Sequence, residues 1–267
     1  MRPAQRIAAL ACCTLLSALA ANKVAVTVVE QKTGKVVSNL AVSDFTVLDD
    51  KTPRVVEAAE FTPTPIDVML LVDTSLVGGM VQPVVANLIE QLQPKEQMAV
   101  VSFDSSANLI QDFTASKELL LRSLGTVKFG NSPRVLDALY AAIDGGFEHT
   151  SFRRVLVLAT AGLEGPSRVS EREVLRLARK NGVSIFPVYV VGYERGLFEM
   201  LARSTGGATF NLRDMGKAGG KAPGERIFDV LRGYYTLTLR GNLALGDRLK
   251  VEVRRPEKLF VSAQPLD

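Results

Sequence analysis

The hydrophobic pattern divides the chain into stretches of different period. Residues 67–72 ("DVMLLV"), 97–103 ("QMAVVSF"), 153–160 ("RRVLVLAT") and 183–191 ("VSIFPVYVV") are short apolar runs without polar alternation. Strands buried on both faces of a parallel sheet have this pattern. Between them, 80–93, 134–147, 171–182 and 196–207 carry apolar residues at helical spacing. Ser170 with Glu173 three residues on forms a capping box ahead of the third helix, and Gly182 ends it. Strands alternating with helices of this length predict an α/β domain over 64–232, a doubly wound, mostly parallel sheet flanked by helices. Pro187 is at odds with its strand, because it has no N–H for a ladder bond.

On either side the period drops to two. Residues 23–31, 44–50 and 53–61 read as strands, with Gly34, Asp49, Asp50 and Pro53 as punctuation. Near the C-terminus Tyr235, Leu237 and Leu239 alternate with Tyr234, Thr236 and Thr238, and Leu249, Val251 and Val253 alternate with charged neighbours. One face of these strands is expected in a core and the other in water. Neither end has enough strands for a core of its own. Residues 22–63 and 233–267 are therefore expected to pack together as one small β-sandwich, with the α/β domain inserted between them.

The first 21 residues change the picture. Arg2 and Arg6 precede an apolar stretch that closes on Ala18 and Ala20 in A-x-A spacing, which reads as an export signal over 1–21. A membrane span is the alternative, but the run is shorter than the roughly 20 residues a bilayer requires, and Asn22 and Lys23 follow at once. Lipid attachment at Cys12 or Cys13 is a third reading. Both cysteines lie in this segment, so the mature chain is expected to carry no disulfide and no thiolate metal site. Removing the two arginines takes the net charge from +4 to near +2, with basic residues spread along the chain, so the pI of about 9.1 argues poorly for nucleic acid. No later run approaches bilayer length, so no membrane span is expected in the mature chain. It is expected to be exported, periplasmic or secreted.

Doubly wound sheets bind ligands beyond the C-terminal ends of their strands, where strand order reverses. "DTSLVGG" (73–79) leaves the first strand of the insertion at that end. An apolar strand running into D-x-S, in a βα domain closed by "GVSIFPVYVVG" and "LFEMLARSTGGATF", resembles the von Willebrand factor A domain across residues 64–232. The flanking "VSDFTVLDDKTPRVV" and "YYTLTL" are similar to bacterial exported proteins related to that family.

The resemblance implies a metal-ion-dependent adhesion site. In it, D-x-S-x-S, a Thr before a later helix and an Asp after the fourth strand surround Mg²⁺, and a partner's acidic group completes the shell. Here Asp73 and Ser75 stand at the first two positions. Val77 stands at the second serine, Pro133 at the threonine with Ser132 one residue away, and Ala161 of "TAG" at the aspartate. Asp73, Ser75 and Ser132 are thus the candidate ligands of a degenerate site expected to take no cofactor, or Mg²⁺ weakly, since that ion wants about six hard oxygens. Glu164 offers a route by which a carboxylate returns. In the structural alternative, Asp73 and Ser75 cap amides of the turn and of the following helix, and Gly78 and Gly79 permit the turn. The expected partner-binding face is Thr74, Leu76, Val77 and Glu164.

Catalytic readings lack parts. His149, the sole histidine, reads as a loop residue at the wrong end of its strand for a Ser-His-Asp site in the crevice. Asp104 and Asp137 read as hairpin and helix-surface residues. No phosphate-binding glycine motif follows a strand, and "DMGKAGGKAPGE" reads as a flexible linker. The expected function is a non-enzymatic protein–protein interaction module, adhesive or scaffolding, that binds another protein without metal. A Mg²⁺-dependent adhesin and, more remotely, a hydrolase are the alternatives.

Overall fold

The computed structural model describes residues 22–241, 245 and 249–266; the expected export signal, with Cys12 and Cys13, lies outside them. In chain order the strands are β1 (Asn22–Glu30), β2 (Phe45–Asp49), β3 (Thr52–Arg54), β4 (Val56–Pro63), β5 (Ile66–Asp73), β6 (Gln97–Phe103), β7 (Ala107–Thr114), β8 (Arg153–Thr160), β9 (Val183–Tyr189), β10 (Phe210–Asn211), β11 (Gly233–Leu239), β12 (Leu249–Val253) and β13 (Leu259–Leu266). The α-helices are α1 (Gln82–Glu90), α2 (Lys117–Leu124), α3 (Val135–Ile143), α4 (Glu171–Lys180), α5 (Arg195–Ser204), α6 (Leu212–Lys217) and α7 (Pro223–Arg232). No helix among the described residues is long and apolar enough to cross a membrane.

Six strands form the central sheet in the order β10-β9-β8-β5-β6-β7, all parallel except β7, which pairs antiparallel with β6 at the edge. Its apolar runs serve both faces. Val68, Leu70 and Val72 of β5 face a core shared with α1, α2 and α7, whereas Met69 and Leu71 face one shared with α3, α4 and α5. The chain runs outward from β5 to β7 and returns as β8 on the other flank of β5. Strand order therefore reverses between β5 and β8, and this places the crevice at Asp73 and Thr160.

Pro187 fits its strand for a local reason. β8 pairs along the whole of β9, but β10 lies only against Val188 and Tyr189. The Ile185 amide turns away from β8 and donates to Thr205 Oγ1 at 3.0 Å. The nitrogen of Pro187, two residues on, faces the same side, where no strand pairs with it, so no ladder bond is lost.

The N- and C-terminal segments form two antiparallel sheets, β13-β1-β11-β4 and β12-β2-β3. Val24, Val26, Val28, Phe45, Val47, Leu237 and Val251 meet between them. Tyr235 closes this core: its ring lies 5.1 Å from Phe45 and 5.2 Å from Phe61, and its hydroxyl accepts the Leu40 amide at 2.9 Å. Tyr235→Phe is expected to cost about 1–2 kcal/mol, because the buried amide is left without an acceptor. Denaturant unfolding measures it, and an unchanged midpoint would show that the bond contributes nothing.

The second face of the larger sheet is not simply wet, as alternation alone suggests. Val29 and Phe260 join the core under α1 and α7, Thr27 Oγ1 donates to Gly206 O at 2.8 Å, and the Arg153 guanidinium lies 4.7 Å from the Tyr234 ring centre. This face packs against the α/β domain through polar and aromatic side chains that alternation cannot distinguish from solvent-facing ones. The glycine-rich stretch is also more ordered than a linker: α6 extends to Lys217 and α7 starts at Pro223.

Candidate functional site

Asp73 is the last residue of β5 and is fully buried. Its Oδ1 accepts the Ser75 amide at 2.9 Å. Its Oδ2 accepts both the Thr160 hydroxyl and the Ala161 amide, each at 2.9 Å. One carboxylate thus ties the C-terminal end of β5 to that of β8 across the crevice. Ala161, which the resemblance sets at its aspartate position, lies beside Asp73 and contributes its backbone amide.

The turn that follows is held by backbone bonds. Thr74 donates its amide and its hydroxyl to Phe103 O, at 2.8 and 3.0 Å, and Gly130 N donates to Thr74 O at 2.9 Å. The Leu76 amide donates to Asn131 O at 3.2 Å, which brings the segment containing Ser132 and Pro133 against the turn. Asn131 adopts a left-handed backbone (φ 57°), which asparagine tolerates, and its side-chain amide donates to Asp104 Oδ2 at 2.9 Å. Burial works to raise the pKa of Asp104, but hydrogen bonds from Asn131, Ser106 and Ser105 outweigh it and hold the carboxyl below its ordinary value. Gly78 is required here, because a Cβ at this position would stand 2.2 Å from the Asp73 carbonyl oxygen.

Three expected site residues stand differently from their sequence reading. Thr74, expected on the partner-binding face, is buried with both polar groups on Phe103. Ser75 is also buried, and its hydroxyl caps no amide: it has no partner among the described residues. The following helix start likewise has no side-chain cap. Glu164 turns away from Asp73 to the start of α3, where its carboxylate accepts the Val135 amide at 2.7 Å and the Leu136 amide at 3.5 Å. Gly165 N donates to Pro133 O at 2.6 Å and fixes the approach. Ser132 is exposed. Asp137 lies in the first turn of α3, where Oδ1 accepts the Arg168 and Val169 amides at 2.8 and 2.9 Å. His149 is exposed just before β8, at the end of the sheet opposite the crevice.

Glu164 carries a pH signature. Burial pushes its carboxyl above the ordinary range, against hydrogen bonds from Ser167, Val135 and Leu136 that favour the ionised form; nearby Asp137 adds to the rise. The folded protein holds this proton more tightly than the unfolded chain, so the contribution to stability falls as pH rises through the carboxylate range to the raised value. Glu164→Gln keeps an acceptor for Val135 and should gain on wild type between about pH 4 and about pH 7. Thermal unfolding at both pH values tests this; a gap that does not move with pH contradicts it.

Mg²⁺ takes about six oxygens, usually with waters and one or two carboxylates among them. The residues here offer Asp73, whose oxygens already carry three protein donors, the buried hydroxyl of Ser75 and the hydroxyl of exposed Ser132; Val77, Pro133 and Ala161 offer no side-chain oxygen. No group of three or more His, Cys, Asp or Glu placed to hold a metal occurs among the described residues. This donor set does not fit the ion's shell.

Part of the rim of the crevice is apolar, beside the polar Asp104, Asn131 and Ser132. Leu76 is 81% exposed and Phe129 43%, and Val77 and Met80 are exposed beside them in sequence. Phe129 carries no sequence signal beyond being a large apolar residue outside the periodic runs, and Met80, which opens the 80–93 run, reads there as one more helix residue.

The family model of the von Willebrand factor type A domain matches residues 67–220, more than half of the chain. The chain belongs to this family. Domains of the family generally act as protein-interaction modules and are usually non-catalytic. Among solved structures the chain is similar to proximal thread matrix protein 1 from the mussel byssus. The TM-score is 0.54 at 17% identity, over 69% of this chain and 51% of that one. A second structure of the mussel protein, with a zinc-occupied MIDAS motif, gives 0.53 at 17% identity over 70% and 50%. An aerotolerance-related membrane protein from Bacteroides fragilis gives 0.47 at 10% identity over 63% and 98%. The chain spans about half the length of the mussel protein. At these identities the likeness is one of fold. A search of curated proteins returns no match.

Proposed function

We propose that this von Willebrand A protein is an exported, non-enzymatic interaction module that docks another protein through the apolar part of its crevice rim, without a metal ion. The observation that carries the reading is Asp73: both carboxylate oxygens are committed to Ser75, Thr160 and Ala161, so it serves as an internal strut. Beside it, Leu76, Val77, Met80 and Phe129 present apolar surface on turns held by backbone bonds. Such surface is stabilised by burial against a partner, at about 25 cal/mol per Å² of apolar area covered. The basic, apolar N-terminal segment with its A-x-A supports export to the periplasm or beyond, and the lack of cysteine after residue 13 is compatible with an oxidising compartment.

One observation favours the metal-assisted alternative: the Ser75 hydroxyl is buried and unpartnered, as a ligand awaiting an ion would be. Affinity capture from the source organism's envelope extract, with and without EDTA, separates the two. The metal-free reading expects the same specific partner in both arms, and at least about tenfold weaker capture by Leu76→Asp, which places a charge where apolar contact is made. Capture lost with EDTA and restored by Mg²⁺ would instead establish the metal-dependent mode.

A further inference from the structure

At the opposite end of the central sheet, where β8 and β9 begin, the α/β domain and the larger antiparallel sheet enclose a cleft of about 830 Å³. Arg153, Arg154, Arg179 and Arg203 all line it, and its described lining residues include no carboxylate. None of the four arginines has a carboxylate partner among the described residues. Their protein acceptors are uncharged: Arg154 donates to Thr150 Oγ1 and Asn181 O, Arg179 to Ser204 O, and Arg203 to Val261 O. Most N–H groups of these three guanidiniums are left without a protein acceptor among the described residues.

Arg153 sits deepest. It donates to Leu231 O at 2.9 Å and Ser184 Oγ at 3.3 Å, and it lies over Tyr234. Burial lowers its pKa to about 10, so it remains charged at neutral pH, with no carboxylate paired to it among the described residues.

A structural reading exists for two of the four. Arg179 and Arg203 stand in the last turns of α4 and α5, where cations offset the helix dipole. That offset is too small: two helix C-termini carry about half a negative charge each, against four full positive charges. Arg179 and Arg203 are exposed and share their charge with solvent, but four guanidiniums with no carboxylate among the described lining residues still give the cleft a positive field that favours an anion. Several guanidiniums around one space match a multiply charged phosphoryl group better than a carboxylate, which a single bidentate arginine satisfies. Phe152, Tyr234, Leu249 and Leu266 give the cleft aromatic and aliphatic wall as well, and its volume suits an organic molecule.

We propose that this cleft is a second binding site, for the phosphoryl group of an organic phosphate whose apolar part lies against Phe152, Tyr234 and the aliphatic wall. The chemistry is shared by a soluble phosphate ester and a phospholipid headgroup, and the test separates these sources. Isothermal titration of the protein with phenyl phosphate, at physiological ionic strength, is set beside flotation with phosphatidylcholine vesicles that do or do not contain phosphatidic acid. Binding of phenyl phosphate assigns a soluble ligand, and binding only to vesicles with phosphatidic acid assigns a headgroup. Arg154→Gln with Arg179→Gln should weaken whichever binding is seen by about tenfold or more. The control is Arg172→Gln with Arg176→Gln, which removes the same charge from exposed positions of α4 that do not line the cleft, and should leave binding intact. The Lys counterparts, Arg154→Lys with Arg179→Lys, keep the charge and guard against misfolding as the cause of loss; they should retain part of the affinity. No binding to either probe, or an equal loss in the control, overturns the proposal.

Discussion

Asp73→Ala is expected to destabilise the protein by about 3–5 kcal/mol, and to do so equally with and without added Mg²⁺. The substitution strands the Ser75 and Ala161 amides and the Thr160 hydroxyl in a buried place. Each buried donor left unsatisfied costs about 1–3 kcal/mol, and the terms do not add fully because all three share one acceptor. Removing a buried charge returns part of this. The sign is what decides. A carboxylate poised for a metal sits in an electrostatic environment that only the ion relieves, so its removal leaves the metal-free protein as stable as before or more so. Chemical denaturation of wild type and variant, each with EDTA and with Mg²⁺, measures both quantities. A variant as stable as wild type in EDTA would overturn the strut reading.

The elements around this strut differ in how far the sequence announces them. β5, β6 and β8 are apolar over most of the length that the two helix layers cover, with Asp67, Asp73, Ser102 and Thr160 as buried polar exceptions, so their runs end within a residue of the strand ends. The Ser170–Glu173 capping box is present with both of its bonds, and α4 begins directly after it. β7 was not legible, since an edge strand with one free side buries little; "ANLIQDFT" has neither an apolar run nor clean alternation. α2 and β13 were similarly obscure, the latter because Pro265 interrupts it, which the sheet edge tolerates.

Within the site, the lack of a side-chain oxygen at Val77, Pro133 and Ala161 is plain from the sequence whatever the fold. What could not be read was where the remaining polar groups turn. Thr74 bonds a residue 29 positions away, Glu164 caps a helix begun 29 positions earlier, and Asp73 reaches residues 87 and 88 positions on. Such pairings depend on the strand order, which local periodicity does not carry. The arginine cleft is hidden for the same reason: its members lie on β8, α4 and α5, and meet only when the antiparallel sheet closes over them.

Restoring the missing oxygens should convert the strut into a metal ligand. Ala161 is 1% exposed and its amide already touches Asp73, so Ala161→Asp sets a second carboxylate beside the first in a buried site. Two carboxylates there repel and cannot both be solvated, so the metal-free variant is expected to lose about 2–4 kcal/mol. Val77→Ser supplies a hydroxyl from the same turn, and the unpartnered Ser75 hydroxyl is already present. The double variant should bind Mn²⁺ in calorimetry with a dissociation constant at least about 100-fold below that of wild type. Metal at 100 times that constant would then return about 2.7 kcal/mol of stability. Each single change should bind less well, and Pro133→Thr should strengthen the double variant if its loop keeps its bond to Gly165. Wild type that already binds Mn²⁺ at micromolar concentration would mean that Asp73 exchanges its internal donors for the ion, and the metal-free docking mode would fall with it. A restored variant that folds but binds nothing would mean that the turn after β5 cannot bring these oxygens to one point.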